Sequence, residues 1–247
     1  MTSKVIIVTG IGAAVAHHLA HHHHLVLIAR THDALARVAA TFPADRVRIV
    51  AGDLSDPSVA QKAVDVAIAA WKRVDGLVVN HGVLDPIKRV GEAEVGEWRA
   101  AFEVNFFSAV GMIQAALPAL RESGGNIVIT SSGAAVGAYS TWGAYGASKA
   151  ALNHLAMTLA VEEPSITTVS IRPGVVDTEM QREIREVHQT IMDKKDADKF
   201  AALKMEGGLL PPEKPGHVIA KLALGAPKTL SGGFMSWNDT ALAEFQD

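Results

Sequence analysis

The sequence predicts an α/β fold: a doubly wound parallel sheet of about seven strands in a three-layer α/β/α arrangement. Two observations carry this. Short β-branched runs alternate with longer helical stretches along the whole chain, and strands joined through helices must pair in parallel by right-handed crossovers. The strands themselves are almost continuously apolar, the pattern of a sheet buried on both faces.

The elements follow in order. Lys4–Thr9 (KVIIVT) reads as a first strand and Ala13–Ala20 as a helix. Leu25–Ala29 (LVLIA) is a second strand, Asp33–Ala40 a helix, Val47–Ala51 a third strand and Pro57–Lys72 a helix. Gly76–Asn80 (GLVVN) is a fourth strand, followed by a long helical region from about Val95 to Leu120. Asn126–Ser131 (NIVITS) is a fifth strand, Ala144–Glu163 a helix, Thr167–Arg172 a sixth strand and Gly233–Ser236 a seventh. No internal repeat or long linker interrupts the series, so residues 1–247 are expected to form a single Rossmann-like domain.

Composition narrows the class. A share of 49% hydrophobic and 20% charged residues fits a globular enzyme rather than a disordered chain. Aromatics make up only 5%, and small aliphatic residues suit helices packed on buried strands. The formal charge of −3 and the lack of an Arg/Lys run argue against nucleic acid as a partner. Without cysteine there is no disulfide, thiol catalysis or cysteine-ligated metal. The N-terminus MTSKVIIVTG runs into a strand without a charged region or cleavage-like site, and the longest apolar runs fall far short of the roughly 20 residues of a membrane span. The expectation is a soluble cytoplasmic protein that does not engage a membrane.

Residues 177–210 differ in character, being rich in Glu, Lys, Asp and Gln, with Met180, Met192 and Met205 among them. They read as a helical insertion at the carboxyl edge of the sheet, where α/β ligands bind, and as a lid over the substrate. Asp177 reads as a helix cap rather than a catalytic acid.

The stretch SSGAAVGAYSTWGAYGASKA (131–150) carries the chemistry. Tyr145 and Lys149 are four apart on a predicted helix and project from one face. Ser132 follows the fifth strand at the carboxyl end of the sheet. A phenol titrates near pH ~10 when unperturbed, and an ammonium beside it favours the phenolate, drawing that value down. A serine hydroxyl can hold a carbonyl oxygen beside such a phenol, so the set can protonate an alkoxide as hydride arrives from a cofactor.

Tyr145-x-x-x-Lys149, with Ser132 thirteen positions before the tyrosine, resembles the short-chain dehydrogenase/reductase family. Further matches keep the family's order: Asn80-His81-Gly82 resembles its Asn-Ala-Gly element, Asn105 in VNFF its helix asparagine, and Arg172-Pro173-Gly174 with Val175-Val176-Asp177-Thr178 its Pro-Gly turn. Asp53 in GDLSD resembles the aspartate at the adenine. The similarity spans essentially the whole chain. WGAYGASKAALNHLAMTLA and SWNDTALAEF resemble fungal members related to benzil and sepiapterin reductases.

The resemblance implies Tyr145 as general acid, Lys149 as its electrostatic partner and ribose contact, Ser132 as the group polarising the carbonyl, and Asn105 holding a water behind Lys149. It implies a cofactor edge of Gly10, Ile11, Gly12, Arg30, Asp53, Leu54, Asn80, Gly82, Pro173, Gly174, Val176 and Thr178. The substrate would meet Ala134, Tyr139, Trp142 and Val175, which suits an apolar carbonyl compound. A homodimer or homotetramer is implied through the helices that carry Asn105 and Tyr145. The bland readings are a local backbone partner for Asn80, a core amide for Asn105 and simple packing for the aromatics.

The first turn departs from the family. Thr9-Gly10-Ile11-Gly12 stands where Thr-Gly-x-x-x-Gly-x-Gly is expected, about four residues fewer. That loop brings backbone N–H groups to a pyrophosphate. Three readings stay open: a truly shortened loop with an altered cofactor pose, loop residues missing from the sequence, or a chain that no longer uses a nucleotide and serves as a binding protein or a nucleotide-free isomerase or lyase. The second strand ends in Ala29-Arg30-Thr31-His32 without an acid for a ribose 2′-hydroxyl, which favours NADP(H) over NAD(H). Finally, His17/His21 and His18/His22 within the run His17–His24 form i,i+4 pairs able to chelate a metal, although no functional metal is expected.

Overall fold

The computed structural model describes residues 3–10 and 12–246. Its first strand, β1 (Val5–Thr9), is buried along its length. Side chains alternate across a strand, so Val5 and Ile7 enter one apolar cluster and Ile6 and Val8 the opposite one. The same division runs through β2 (His24–Ala29), where Val26 and Ile28 face one side and Leu25 and Leu27 the other. Burial on both faces explains the unbroken apolar runs.

The remaining strands are β3 (Val47–Ala51), β4 (Gly76–Val79), β5 (Asn126–Thr130), β6 (Thr167–Arg172) and β7 (Phe234–Ser236). All pair in parallel, in the order β3-β2-β1-β4-β5-β6-β7. The order reverses between β1 and β4, so a crevice opens at their carboxyl ends, where Thr9 and Asn80 meet. On one face lie α3 (Pro57–Trp71), α5 (Ser108–Ser123) and α6 (Gly143–Glu162); on the other lie α1 (Ala13–Leu19), α2 (His32–Ala39) and α9 (Glu213–Gly225). The seven expected strands and their helices are present, with bounds within one residue except that the long helix runs on to Ser123.

Three features depart from expectation. Helix α9 is absent from the sequence reading because Pro215 and Gly216 in its opening look like breakers. Near a helix start, however, Pro has no intrahelical donor to lose, and a Cβ on Gly216 would stand 2.7 Å from the Ala14 Cβ. The glycine therefore lets α9 and α1 pack closely. Second, α4 (Val95–Phe102) and α5 are joined by a π turn at Glu103–Phe107 into one helical run, 95–123, long and apolar enough to cross a membrane by length and composition. Its uninterrupted apolar runs are short, as expected, broken by Glu97, Arg99, Glu103, Asn105, Gln114 and Arg121. In the fold Ala109, Met112, Ile113, Ala116 and Leu120 are buried. Third, α1 ends at Leu19, so His21 and His22 lie beyond the helix and the i,i+4 pairs do not form on it. His17 and His21 lean on Phe42, His18 on His217, and His24 stacks on Trp71.

Residues 177–210 carry α7 (Glu179–Glu186) and α8 (Lys194–Met205). Their base is tied: Asp177 N donates to Leu210 O at 2.9 Å, and Leu210 N to Val175 O at 2.9 Å. Asp177 is not the cap. Thr178 accepts from Gln181 N at 3.4 Å, while Asp177 pairs with Lys204 at 2.8 Å and Arg185 at 3.8 Å.

Candidate active site

A cavity of about 570 Å³ follows the carboxyl ends of β1, β4, β5 and β6, roofed by α7 and α8. Its size is that of a small-molecule site. Its wall runs from Gly12 through Asn80, His81 and Gly82 to Ser132, Tyr145 and Lys149, then along 172–181.

Tyr145 and Lys149 lie in the first two turns of α6, both buried. Ser132 follows β5, and its hydroxyl accepts from Ala134 N at 3.1 Å, which fixes the turn that aims it. Burial pushes the Tyr145 phenol above its usual value, while a hydrogen bond with Ser132 pulls it down. The direction corrects the sequence expectation. The Lys149 Nζ sits 5.9 Å from the centre of the Tyr145 ring and donates to Thr130 O at 2.8 Å. Burial lowers the Lys149 amine to about 8. Ser131, the neighbour that competes with Ser132, has its hydroxyl buried without a partner among the described residues.

Asn105 lies in the π turn and is fully buried. The extra residue of that turn rotates its amide out of the helix, and Val83 takes both ends: Nδ2 donates to Val83 O at 2.9 Å and Oδ1 accepts from Val83 N at 2.8 Å. Nδ2 also reaches Ser148 Oγ at 3.1 Å. The side chain fixes the segment after β4 as a core amide bonded to backbone groups. It still adjoins the reacting groups, since a Cβ on Gly82 would meet Asn105 Oδ1 at 3.2 Å and Lys149 Nζ at 3.5 Å.

Sequence reasoning missed His81. Its Nδ1 lies 2.6 Å from Thr9 Oγ1 and its Nε2 2.7 Å from Ser108 Oγ, joining the end of β1 to the helix that carries Asn105. Burial, then the Lys149 charge, pushes it down to about 4, so it is a neutral imidazole near pH 7. The available signal was a bulky histidine where the family element has alanine.

On the cofactor edge, Gly10 and Gly12 have φ of 72° and 32°, a region that favours glycine. A Cβ on Gly10 would stand 3.2 Å from His81 Cα and one on Gly12 2.8 Å from Val8 Cγ1. Ile11 lies outside the described residues. Asn80 accepts from Thr130 Oγ1 at 3.1 Å, and its N–H donates to Thr9 Oγ1 at 3.0 Å. Gly12, Asn80, Gly82, Pro173, Gly174, Val176 and Thr178 line the cavity together. Arg30, Asp53 and Leu54 lie beyond its wall: Arg30 is exposed after β2, Asp53 accepts from Ser55 N at 2.9 Å, and Leu54 is buried in the core. The cavity is continuous from Gly12 to Lys149, while the adenine-side residues of the sequence reading stay outside it.

The opposite wall is apolar. Trp142 stacks on Phe200 of α8 at 5.4 Å and 18°, with Tyr139 4.8 Å from Trp142. Ala134 and Val175 belong to the same cluster, as do Leu84 and Ile184, which the sequence did not single out. Thr141, in the left-handed region at φ 68°, turns the chain into α6 just before Trp142.

A family model described as short chain dehydrogenase matches residues 4–189. An uncharacterized oxidoreductase of Saccharomyces cerevisiae, YIR035C, is 44% identical over 203 residues, 81% of this chain and 80% of that protein. Its crystal structure superposes with a TM-score of 0.96 at 40% identity, covering 99% of this chain and all of that one (100%). A benzil reductase ((S)-benzoin forming) of the same yeast is 40% identical over 229 residues, 89% of this chain and 87% of the enzyme. The structure of a cytoplasmic protein with unknown function, also from that yeast, gives a TM-score of 0.82 at 39% identity, covering 99% and 100% of the two chains.

Proposed function

Since this chain belongs to the short-chain dehydrogenase family, we propose that it is an NADPH-dependent reductase that converts a ketone or diketone to a secondary alcohol. The observation that carries the reading is that Ser132, Tyr145 and Lys149 share one cavity beside an apolar wall, with Lys149 behind the tyrosine ring. A bound reduced nicotinamide supplies the hydride. Ser132 holds the carbonyl oxygen, and Tyr145 gives that oxygen a proton as charge develops on it. A phenol is protonated near neutrality, the form an acid needs, and burial pushes Tyr145 further that way. The Lys149 ammonium stabilises the phenolate left behind.

Gly10, Gly12, Asn80, Gly82, Tyr145, Lys149 and the 173–178 turn would hold the nucleotide, and Arg30 would meet a 2′-phosphate. Trp142, Phe200 and Tyr139 exclude water and orient an aryl or alkyl group. Likeness to the yeast benzil reductase supports a diketone among the substrates. The exposed apolar residues Phe107 in the π turn and Met157 and Val161 on α6 support a homodimer or homotetramer, and the yeast relative described as a cytoplasmic protein supports a cytoplasmic setting.

The test is titration of tryptophan fluorescence with NADPH and NADH, followed by benzil turnover. Micromolar binding favouring NADPH, with turnover, is expected. No binding up to millimolar nucleotide removes the reading.

A further inference from the structure

Arg172 is the last residue of β6 and lines the cavity beside the catalytic turn. A Cβ built on Gly133 would stand 3.0 Å from its Nε and 3.1 Å from its Cζ. The guanidinium of this exposed residue therefore lies against the residue that follows Ser132. Among the described residues it has no ion-pair or side-chain hydrogen-bond partner. The acids that share the cavity wall are already engaged: Asp177 with Lys204 and Arg185, and Glu179 with Arg182. The other cation of the wall, Lys149, is buried and donates to Thr130 O.

Position separates this charge from the nucleotide phosphates. The glycine turn follows β1, and β6 is three strands away across β4 and β5. At about 4.8 Å per strand, Arg172 starts roughly 14 Å from that turn, on the far side of Ser132. A permanently charged planar fork with no partner, set beside the group that holds the carbonyl, matches a carboxylate bidentately.

We infer that Arg172 recognises a carboxylate on the substrate, so that the substrate class is an aryl or alkyl keto acid whose carboxylate is a few bonds from the reacting carbonyl. The inference rests on the reductase reading. The acid end would meet Arg172, the carbonyl Ser132 and Tyr145, and the apolar remainder Trp142 and Phe200.

The experiment compares benzoylformate with its methyl ester, which keeps the activated ketone and removes the charge. With NADPH, the acid-to-ester ratio of kcat/KM is expected to fall about 10- to 100-fold in Arg172→Gln, mostly through KM, and to recover in part in Arg172→Lys. An unchanged ratio in a variant that still turns over the ester overturns the inference. If neither compound nor benzil oxidises NADPH in the unmodified protein, the reductase reading fails by itself. Fluorescence titration with benzoylformate then decides the carboxylate site: at least tenfold weaker binding in Arg172→Gln upholds it, and equal binding overturns it.

Discussion

The imidazole of His81 spans the gap between Thr9 Oγ1, 2.6 Å away, and Ser108 Oγ, 2.7 Å away. Neutral histidine has one donor and one acceptor, so it serves both hydroxyls only in a fixed tautomer. Through it the turn after β1 is held to the helix beyond the π turn.

Replacing His81 by Ala removes one hydrogen bond from each hydroxyl, which keep Val78 O and Val104 O as partners, and the chain is expected to lose about 1–3 kcal/mol of stability and bind nucleotide more weakly. The pH dependence is specific. Unfolded histidine titrates near 6.5 and His81 at about 4. Between these values the unfolded chain holds a proton that the folded chain rejects, so stability falls as pH drops through the window. The loss is at most about 3 kcal/mol, since part of the residue still meets solvent. Urea unfolding from pH 7 to pH 4 measures it, and His81→Gln should flatten the curve. Parallel curves would show that His81 titrates alike in both states.

Strand and helix order were legible because a sheet buried on both faces writes itself as apolar runs such as KVIIVT and NIVITS. Tyr145, Lys149 and Ser132 were legible because their spacing joins one helix face to one strand end. Helix α9 was hidden, since Pro215 and Gly216 signal a break unless the neighbour that requires Gly216, Ala14, is known. The tertiary roles of His81 and Arg172 depend on Ser108 and Gly133, far off in sequence. The Tyr145 shift also escaped: charge proximity was foreseeable, whereas the opposing burial needed the closed cavity.

Lys149 carries a cost that can be measured. Its amine falls to about 8 from 10.5 through burial. From pH 8 to 10.5 the unfolded chain retains a proton that the native chain has released, so native stability rises with pH across that window and the full penalty applies below it. Lys149→Met is expected to gain up to about 3 kcal/mol at pH 7, less about 1 kcal/mol for the bond to Thr130 O, while losing turnover. The gain should vanish near pH 10.5. A variant destabilised at pH 7 would show that the folded protein does not penalise the charge.

Tyr145→Phe removes one oxygen and leaves the packing. A loss of about 10²–10⁴-fold in kcat/KM is expected, with the nucleotide Kd within about twofold. Because burial raises the phenol, the unmodified protein should show no loss of ketone reduction from tyrosine ionisation below pH ~10. Retained turnover in the Phe variant would transfer the proton to another donor.

Phe200 tests the roof. It is the buried residue of α8, and it lies almost parallel to Trp142 at 5.4 Å. Truncating a core phenylalanine costs about 3–5 kcal/mol when the whole fold must bear it. A helix with a single buried side chain, held otherwise by surface polar contacts such as Lys204–Asp177, can instead open by itself, at a free energy well below that of global unfolding. Phe200→Ala is therefore expected to speed proteolysis within 194–205 and to raise KM for aryl ketones about tenfold. Urea unfolding of the sheet should move by less than about 1 kcal/mol. Nucleotide affinity should hold, since Phe200 faces the aromatic wall rather than the glycine turn. Loss of the full 3–5 kcal/mol with unchanged proteolysis would make α8 part of the cooperative core, and the roof would then have no independent motion to close over a substrate.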